Sequence, residues 1–588
     1  MIAESRGVCC GNWDIQPEPC GAGMRLRITD RLKCCRGGTG EGGILCFRLP
    51  DTLWSYELPL PLGGFLPAGC VESAGLRRSR ARGQPADRGC GGWSDRGGGS
   101  IASLPKHTSM DAEVMFPCTV SQLQEILGGS GCLGAGALSE VTGVSIDSRT
   151  VRPGDVFFAM SGQKTHGMQF AAQAKAAGAA CIVSNAALSG EVGAEQNSRG
   201  GGSAERHCPV LLVSEPIAAL QTLARWNRRQ SRAMVIGITG SVGKTTTRQM
   251  LHHVLTSELR GIQSPRNFNN ELGVPLSMLE LGAGDEVAVL EMGATRRGDI
   301  QFLCELANPG MGVVTRVAPC HLQSFGDLQA VRDTKQELVS SIPAQGMVFL
   351  NGDDELVRTM SQSSLAPVVF FGTGAHVPRR FQSEECSAGR CSFRLGRDRY
   401  WFEGGRHLMH SAAAAVMVAR SLGLTSRQIS AGLAAFRPEA GRGAVVLREP
   451  WTVIDETYNS SPASVRACIE AMADWSGGRR VIVLGEMLEL GEREADYHRD
   501  IAAMLAHSRI DLACFVGRFA KICVEAAMRS GFSGQRMIAC ERLDELAAIL
   551  PDMLQEGDTV CLKGSRAMQM EQLIQALQRS TGDAVRAA

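Results

Sequence analysis

The sequence predicts an α/β protein of several domains, each built around a largely parallel sheet. Three observations carry that prediction. The chain has 588 residues, and at roughly 150 residues per domain this suggests three or four domains. From Val144 onward, short apolar strand-like runs alternate with segments of helical period, the pattern of strand–helix–strand units. One of those runs, Met234 to Ile238, feeds a glycine loop that opens a helix, and open α/β sheets bind ligands at such strand ends.

Composition narrows the function. Hydrophobic residues make up 44% and charged residues 21% of the chain, the range of ordinary soluble globular proteins. Collagen-like, coiled-coil and wholly disordered readings are excluded. With Lys+Arg 61 against Asp+Glu 60 the net charge is +1, so no global field draws the chain to nucleic acid or an anionic membrane. Aromatic residues are only 5%, too few to suggest a base-stacking surface. No run of about 18 apolar residues occurs. Neither a nucleic-acid partner nor membrane insertion is expected. Eight of the 21 cysteines fall in the first 109 residues. The others lie mostly in apolar runs such as Ala180 to Val183 and read as buried thiols of a reducing compartment. No CxxC pair occurs, so the spacing for zinc or redox chemistry is lacking.

Residues 1–109, rich in Gly, Arg and Cys, carry no sustained period of 2 or 3.6. They read as a disordered, dispensable extension, with a disulfide module or basic arm as the alternative. Recognisable order begins just after Met110. Val156 to Ala159 reads as a strand, Phe170 to Ala177 as a helix closed by Gly178, and Cys181 to Val183 as the next strand. Residues 187–206, rich in Gly, Ser and Glu, read as a flexible loop. Strand–helix alternation resumes through about residue 436, and a third alternating block starts near Val453. The expected divisions are 1–109, 110–228, 229–440 and 441–588.

The strongest motif is Gly240-Ser241-Val242-Gly243-Lys244-Thr245-Thr246. A strand, a glycine loop and a helix N-terminus together surround phosphate with backbone N–H groups and a favourable dipole. Lys244 is expected on the β/γ-phosphates and the Thr245 hydroxyl on Mg²⁺. The compact glycine spacing is intact, although the longer consensus would require glycine where Ile238 stands. ATP binding is therefore expected. A second acidic element, Val287 to Gly293, puts Glu291 at the end of an apolar strand, where a carboxylate can hold a metal beside the phosphates.

Taken together, the motifs resemble the Mur ligases, ATP-dependent enzymes that assemble the peptide stem of bacterial peptidoglycan. The resemblance runs from about residue 118 to 588. It is carried by Asp147-Ser148-Arg149, the loop around Lys244, Asn267 to Leu276, Glu291 to Ala294, His321 and Lys335-Gln336-Glu337. In the last third it is carried by Asp455 to Asn459, Leu484 to Gly491, His498 and Lys563 to Arg566. It implies an N-terminal UDP-binding α/β domain, a central phosphate-loop ATPase domain and a C-terminal Rossmann-like domain that brings the incoming amine.

The resemblance also implies a reaction. ATP phosphorylates the terminal carboxylate of UDP-MurNAc-tripeptide, and the amine of D-Ala-D-Ala attacks the acyl phosphate. Such chemistry rests on positioning and charge neutralisation. Lys244, His321 and Lys335 are the implied catalytic residues. Two Mg²⁺ ions are implied, the first on Thr245 and Glu291, the second at His321, for which a surface-loop histidine is the alternative. Lys335 is implied to react with CO₂ to form a carbamate, with an unmodified helix-surface lysine as the alternative. Ser148 and Arg149 are implied contacts of the uridine diphosphate, since Arg presents forked donors to a diphosphate. Asn270 is implied at the nucleotide, with a turn or N-cap before Glu271 as the alternative, and Arg442 at the nucleotide and the hinge, with a solvated linker arginine as the alternative. Asp455, Tyr458 and Asn459 are implied at the nucleotide or dipeptide. A cytoplasmic monomer is expected.

Several positions depart from the family pattern. Thr295 and Arg316 stand where asparagine is usual, and His410 stands where an adenine-contacting amide is expected. These leave two alternatives open, a diverged ligase with another amine substrate and a silent ATP-binding paralogue. A folate-extending relative is disfavoured by the Asp147-Ser148-Arg149 domain, which such enzymes lack.

Overall fold

The computed structural model describes residues 15–20, 23–28, 44–49, 52–57, 115–131, 136–162, 165–185, 208–387, 389–475 and 478–587. The early segments form two antiparallel hairpins, Ile15–Cys20 with Gly23–Ile28 and Ile44–Leu49 with Thr52–Glu57. The lack of strand period in residues 1–109 did not anticipate them. The rest of that expected extension, and all of the expected loop at 187–206, lie outside the described residues.

From residue 115 the chain builds three α/β domains in sequence order. The first carries a four-stranded parallel sheet in the order Val210–Leu212, Cys181–Ser184, Asp155–Phe158, Gly143–Ser145. Helix Val120–Leu127 begins with a reciprocal cap in which the Thr119 hydroxyl and the Gln122 side chain each serve the other's backbone N–H, satisfying donors a helix start leaves open. Helix Pro216–Gln230 leads out of this domain. Its buried Asn227 accepts from Phe116 N and donates to the carbonyls of Met278 and Leu281. One amide thus ties the first domain to the second.

The central domain has a six-stranded parallel sheet in the order Gly261–Gln263, Val287–Glu291, Met234–Thr239, Met311–Val314, Met347–Asn351, Val368–Phe371. Its strands are apolar on both faces. Val235, Ala288, Leu290, Val314 and Leu350 belong to one core, and Ile236, Ile238, Val289, Val313 and Phe349 to the other. Covering both faces is what a parallel sheet requires, because its crossover helices lie above and below.

Strand–helix alternation does not, however, persist to residue 436 as expected. Residues 381–403 form an antiparallel meander, Phe381–Ser387, Arg390–Leu395 and Asp398–Glu403. Gly389 and Gly396, at φ +78 and +66, make the tight turns that L side chains resist. Cys386 and Cys391 pair across the first hairpin and are joined by a disulfide. This corrects the expectation of thiols at those two positions, since direct cross-strand partners come close enough to bond.

The C-terminal domain has a six-stranded sheet in the order Ala444–Leu447, Thr452–Glu456, Thr559–Lys563, Arg480–Leu484, Leu512–Val516, Met537–Cys540. All neighbours are parallel except the edge strand Ala444–Leu447.

Two glycines set the position of the helix that carries Lys335. Gly237 and Gly312 lie on adjacent central strands. A Cβ at Gly237 would approach Leu338 Cδ1 to 2.9 Å, and one at Gly312 would approach Leu338 Cγ to 3.2 Å. Leu338 lies on helix Leu328–Ser341, so the missing side chains let that helix settle close against the sheet. A Gly237→Val variant should lose about 1–3 kcal/mol by overpacking and displace Lys335. Urea unfolding followed by tryptophan fluorescence checks the first effect, and ATP turnover at a temperature where the variant is folded checks the second.

Candidate functional site

The phosphate loop is built by a close approach between two strand ends. Strand Met234–Thr239 ends in Gly240, whose missing side chain leaves room for Thr315 at the end of strand Met311–Val314. A Cβ on Gly240 would lie 1.9 Å from Thr315 Oγ1. The Thr315 hydroxyl instead donates to the Val242 carbonyl at 2.7 Å. Ser241 is fixed twice, its N–H donating to Arg316 O at 2.6 Å and its hydroxyl to Ala318 O at 2.9 Å. The Cys320 thiol reaches the same hydroxyl at 3.2 Å. Gly243, at φ +89, turns the chain into helix Lys244–Leu255. Lys244 Nζ folds back onto the Gly240 carbonyl at 2.8 Å. Thr246 is buried in the first turn of the helix. The N-terminus of this helix points its free backbone donors at the loop.

Glu291 sits where the neighbouring strand ends and is almost fully buried. Its Oε2 accepts from Thr245 Oγ1 at 2.7 Å, and its Oε1 from Asn269 Nδ2 at 2.9 Å. Arg248 Nε lies 3.7 Å from Oε2. Arg248 is only 1% exposed, and its other nitrogens bind Gln263 Oε1 and the carbonyls of Ser264 and Arg266. This arginine, which sequence reading passed over, ties the phosphate-loop helix to the loop bearing Asn269. The available signal was a charged residue on a helix face whose neighbours Met250, Leu251 and Val254 are all buried.

Lys335 is 3% exposed, so the expectation of a partly desolvated lysine holds and the helix-surface alternative does not. Burial pushes its amine down to about 8, with Lys244 adding to the shift and the Cys320 and Glu337 charges opposing it. A lysine in that range keeps a far larger neutral fraction near physiological pH than an ordinary lysine does, roughly a tenth to a fifth. His321 adopts a left-handed backbone at φ +50, and its Nδ1 contacts the Glu489 carboxylate of the C-terminal domain.

The remaining expected residues have the following partners. Asn270 does not face Glu291. Its Oδ1 caps the backbone N–H of Gly273 at 2.9 Å and Leu272 at 3.3 Å, a local turn role common for asparagine, while Asn269 reaches the carboxylate. Asp455 is consumed by the hinge. Its carboxylate accepts from Gly441 N at 2.7 Å and from the Thr457 hydroxyl at 2.7 Å. Arg442, between the left-handed Gly441 and Gly443, stacks 3.8 Å over the Tyr458 ring. Asn459 Oδ1 accepts from Ser460 N. Ser148 and Arg149 lie in the first domain. Ser148 is buried and its hydroxyl donates to Gln173 Oε1 at 2.9 Å. Arg149, its side chain 79% exposed, forks onto Asp147, whose carboxyl is held down at about 2 by that arginine. His410, where an amide was expected, pairs with Asp353 at 2.9 Å.

A buried charge network faces the hinge. Glu456 accepts from Lys563 Nζ at 3.3 Å and contacts His407 Nε2 at 2.9 Å. Lys563 also donates to Asn459 O at 3.1 Å. His407 precedes helix Met409–Ser421, whose Ser411 hydroxyl bonds Thr247 of the phosphate-loop helix at 2.9 Å. The network therefore links the hinge to the phosphate site through one helix. Burial opposes ionisation of Glu456, but Lys563 and His407 outweigh it and hold the carboxyl at about 2. Burial alone would lower His407, and Glu456 reverses that to a net rise.

Among the described residues no cluster of three or more His, Cys, Asp or Glu side chains could enclose a metal by itself. The Thr245 hydroxyl and Glu291 carboxylate are hard oxygen donors 2.7 Å apart beside the loop. That set fits Mg²⁺, which takes one or two protein oxygens and completes its shell with phosphates and water.

Comparison with known proteins follows the same order along the chain. Family models match residues 140–225 (Mur ligase family, catalytic domain), 238–407 (Mur ligase middle domain) and 441–566 (Mur ligase, glutamate ligase domain). The UDP-N-acetylmuramoyl-tripeptide–D-alanyl-D-alanine ligase of Mycobacterium bovis is 32% identical over 517 residues, covering 79% of this chain and 98% of that protein. Its counterpart in Escherichia coli is 29% identical over 480 residues, covering 79% and 99%. A crystal structure of MurF from Acinetobacter baumannii superposes with a TM-score of 0.70 at 27% identity, covering 79% of this chain and all of that one. MurF of Thermotoga maritima, solved in complex with ADP, gives 0.63 at 27% identity, covering 75% and 98%.

The Glu456 network has a definite pH signature. Glu456 has a folded value below its ordinary 4.5, so its contribution is present above about 4.5 and lost as pH falls toward 2. His407 has a folded value above its ordinary 6.5, so its contribution is present below about 6.5 and lost as pH rises through the raised value. The link is strongest between those limits. Glu456→Gln leaves Lys563 buried without a counter-charge and should cost about 3–5 kcal/mol. Melting temperatures from pH 3 to 8 should show the wild-type advantage peaking near pH 5–6 and shrinking on both sides; a pH-independent advantage would contradict the assignment.

Proposed function

The chain belongs to the Mur ligase family, and on that premise we propose that it joins D-alanyl-D-alanine to UDP-N-acetylmuramoyl-tripeptide at the expense of ATP. The observation that carries this reading is the convergence of Lys244, Thr245, Glu291 and Lys335 at one end of the central sheet, in a chain that spans its relatives almost end to end. The ADP complex of the T. maritima relative supports nucleotide use at such a loop.

A carboxylate does not acylate an amine in water, because its charge deactivates the carbonyl and oxide cannot leave. Transfer of the γ-phosphoryl group to the carboxylate oxygen removes both obstacles. The transfer brings two anions together, so the site must neutralise charge and fix geometry. Lys244 leaves the Gly240 carbonyl to meet the phosphates. The loop N–H groups, held in place by Thr315, Ser241 and Gly240, define where the phosphates rest. Thr245 and Glu291 would hold one Mg²⁺, with Asn269 and Arg248 keeping the carboxylate oriented; His321 would hold a second. These ions supply charge neutralisation at the transferring phosphoryl group.

Lys335 fits a further role. The neutral fraction of this buried amine can add CO₂ and lose a proton, giving a carbamate in place of an ammonium group beside Lys244. The amine of the dipeptide then attacks the acyl carbon, the C–O bond to phosphate breaks, and the amine proton leaves with the phosphate. Ser148 and Arg149 are suited to the diphosphate end of the sugar nucleotide, because Arg149 is exposed and its fork is matched only by Asp147. Arg442 and Tyr458 stand at the hinge, where closure can bring them to the nucleotide. We take the enzyme to act as a cytoplasmic monomer, where its nucleotide-linked substrate is made.

Purified chain given ATP, Mg²⁺, UDP-MurNAc-tripeptide and D-Ala-D-Ala should release phosphate only when both peptide substrates are present. Lys244→Ala should reduce that rate at least a hundredfold, as expected when a group stabilising the transition state by about 2.7 kcal/mol or more is removed. Phosphate release independent of the dipeptide, or near-normal turnover in the variant, would overturn the reading.

A further inference from the structure

We propose that Glu489 binds the ammonium group of the incoming amine and thereby sets the specificity of the second half-reaction; the inference rests on the function proposed above. Glu489 follows strand Arg480–Leu484 in the C-terminal domain. Its carboxylate is 60% exposed and contacts His321 of the central domain. Among the described residues it is the one carboxylate of the C-terminal domain in contact with a residue of the proposed cation site. Gly491, two residues on, closes the same approach, since a Cβ there would lie 3.8 Å from Gln323 N beside His321.

The backbone at Glu489 is left-handed, φ +64, a conformation that costs a residue with a side chain and persists only where its surroundings impose it. Its surroundings do so here. Leu488 N donates to Ser565 Oγ at 3.0 Å, and Met487 N donates to His498 Nε2 at 3.0 Å. His498 is itself buried, with Nδ1 bonded to the Glu494 carbonyl at 2.7 Å. Two anchors therefore hold the preceding residues, and the strained residue carries the side chain that crosses between domains.

Charge explains why an anion belongs there. A peptide amine arrives near neutral pH largely as an ammonium ion. The nearby phosphate site presents Lys244 and Arg248, which suit ATP and a carboxylate but repel an ammonium ion. A carboxylate of the C-terminal domain can bind that ion and take up its extra proton, leaving the neutral amine to attack the acyl carbon. The contact with His321 then marks the position the ammonium ion would share.

Kinetics of the full-length chain and of Glu489→Gln test this. The substitution should raise the KM for D-Ala-D-Ala about tenfold or more, as expected for loss of a charge-assisted hydrogen bond. The KM values for ATP, UDP-MurNAc-tripeptide and Mg²⁺ should stay within about twofold. Glu489→Asp should recover part of the loss. Hydroxylamine, which is uncharged at neutral pH, should still trap the acyl phosphate as a hydroxamate at the wild-type rate in Glu489→Gln. An unchanged dipeptide KM, a raised Mg²⁺ requirement or an equal loss of hydroxamate formation would overturn the proposal. Wild-type chain that forms hydroxamate but never uses the dipeptide would overturn the substrate reading, and this inference with it.

Discussion

A threonine hydroxyl held against a buried carboxylate, Thr245 on Glu291, is the contact on which the site depends. It exists because two adjacent parallel strands end side by side, one in the phosphate loop and the other in an acid. The loop keeps its shape because Gly240 lets Thr315 close in from the strand on its other side. Arg248 and Asn269 then hold the carboxylate from behind and from the flank. The apolar strands below are covered on both faces, so the polar groups at their ends inherit a rigid base. Preorganisation of this kind supports catalysis because the donors need not rearrange as charge moves.

Beside that centre lies the connection between the central and C-terminal domains. Gly441 and Gly443 flank Arg442, and Asp455 clamps the turn they form. The ion pairs of Glu456 lie against the same hinge, since a Cβ at Gly443 would sit 3.1 Å from Glu456 Oε1. Helix Met409–Ser421 starts just after His407 at that hinge, and its Ser411 hydroxyl accepts from Thr247 of the phosphate-loop helix. The charge network and the phosphate-loop helix are thus joined through the first turn of one buried helix. Glu489 reaches from the C-terminal domain to His321, the contact at which the proposed amine site lies.

Much of this was legible in residue order. The phosphate loop, the strand-end acid and the alternation of elements are local patterns, and each appeared where its spacing placed it. Lys335 was expected to be partly desolvated, and it is buried. The antiparallel meander at 381–403 was missed because its strands are short and joined by glycine turns that resemble loop composition. Asn270 and Asp455 show a different limit. Both belong to motifs; Asn270 takes the local turn role that the sequence left open as its alternative, and Asp455 clamps the hinge, because a motif does not reveal which polar atoms the backbone claims first. Arg248, His407 and the pairing of Glu456 with Lys563 depend on contacts between distant segments, and no local pattern announces them.

The account turns on an acid made reactive by receiving phosphate from ATP. Tripeptide substrate labelled with ¹⁸O in its terminal carboxylate tests this directly. Mass spectrometry of the inorganic phosphate formed during turnover with the dipeptide should find one labelled oxygen per phosphate released. Phosphate carrying no label, with amide still formed, would contradict the account.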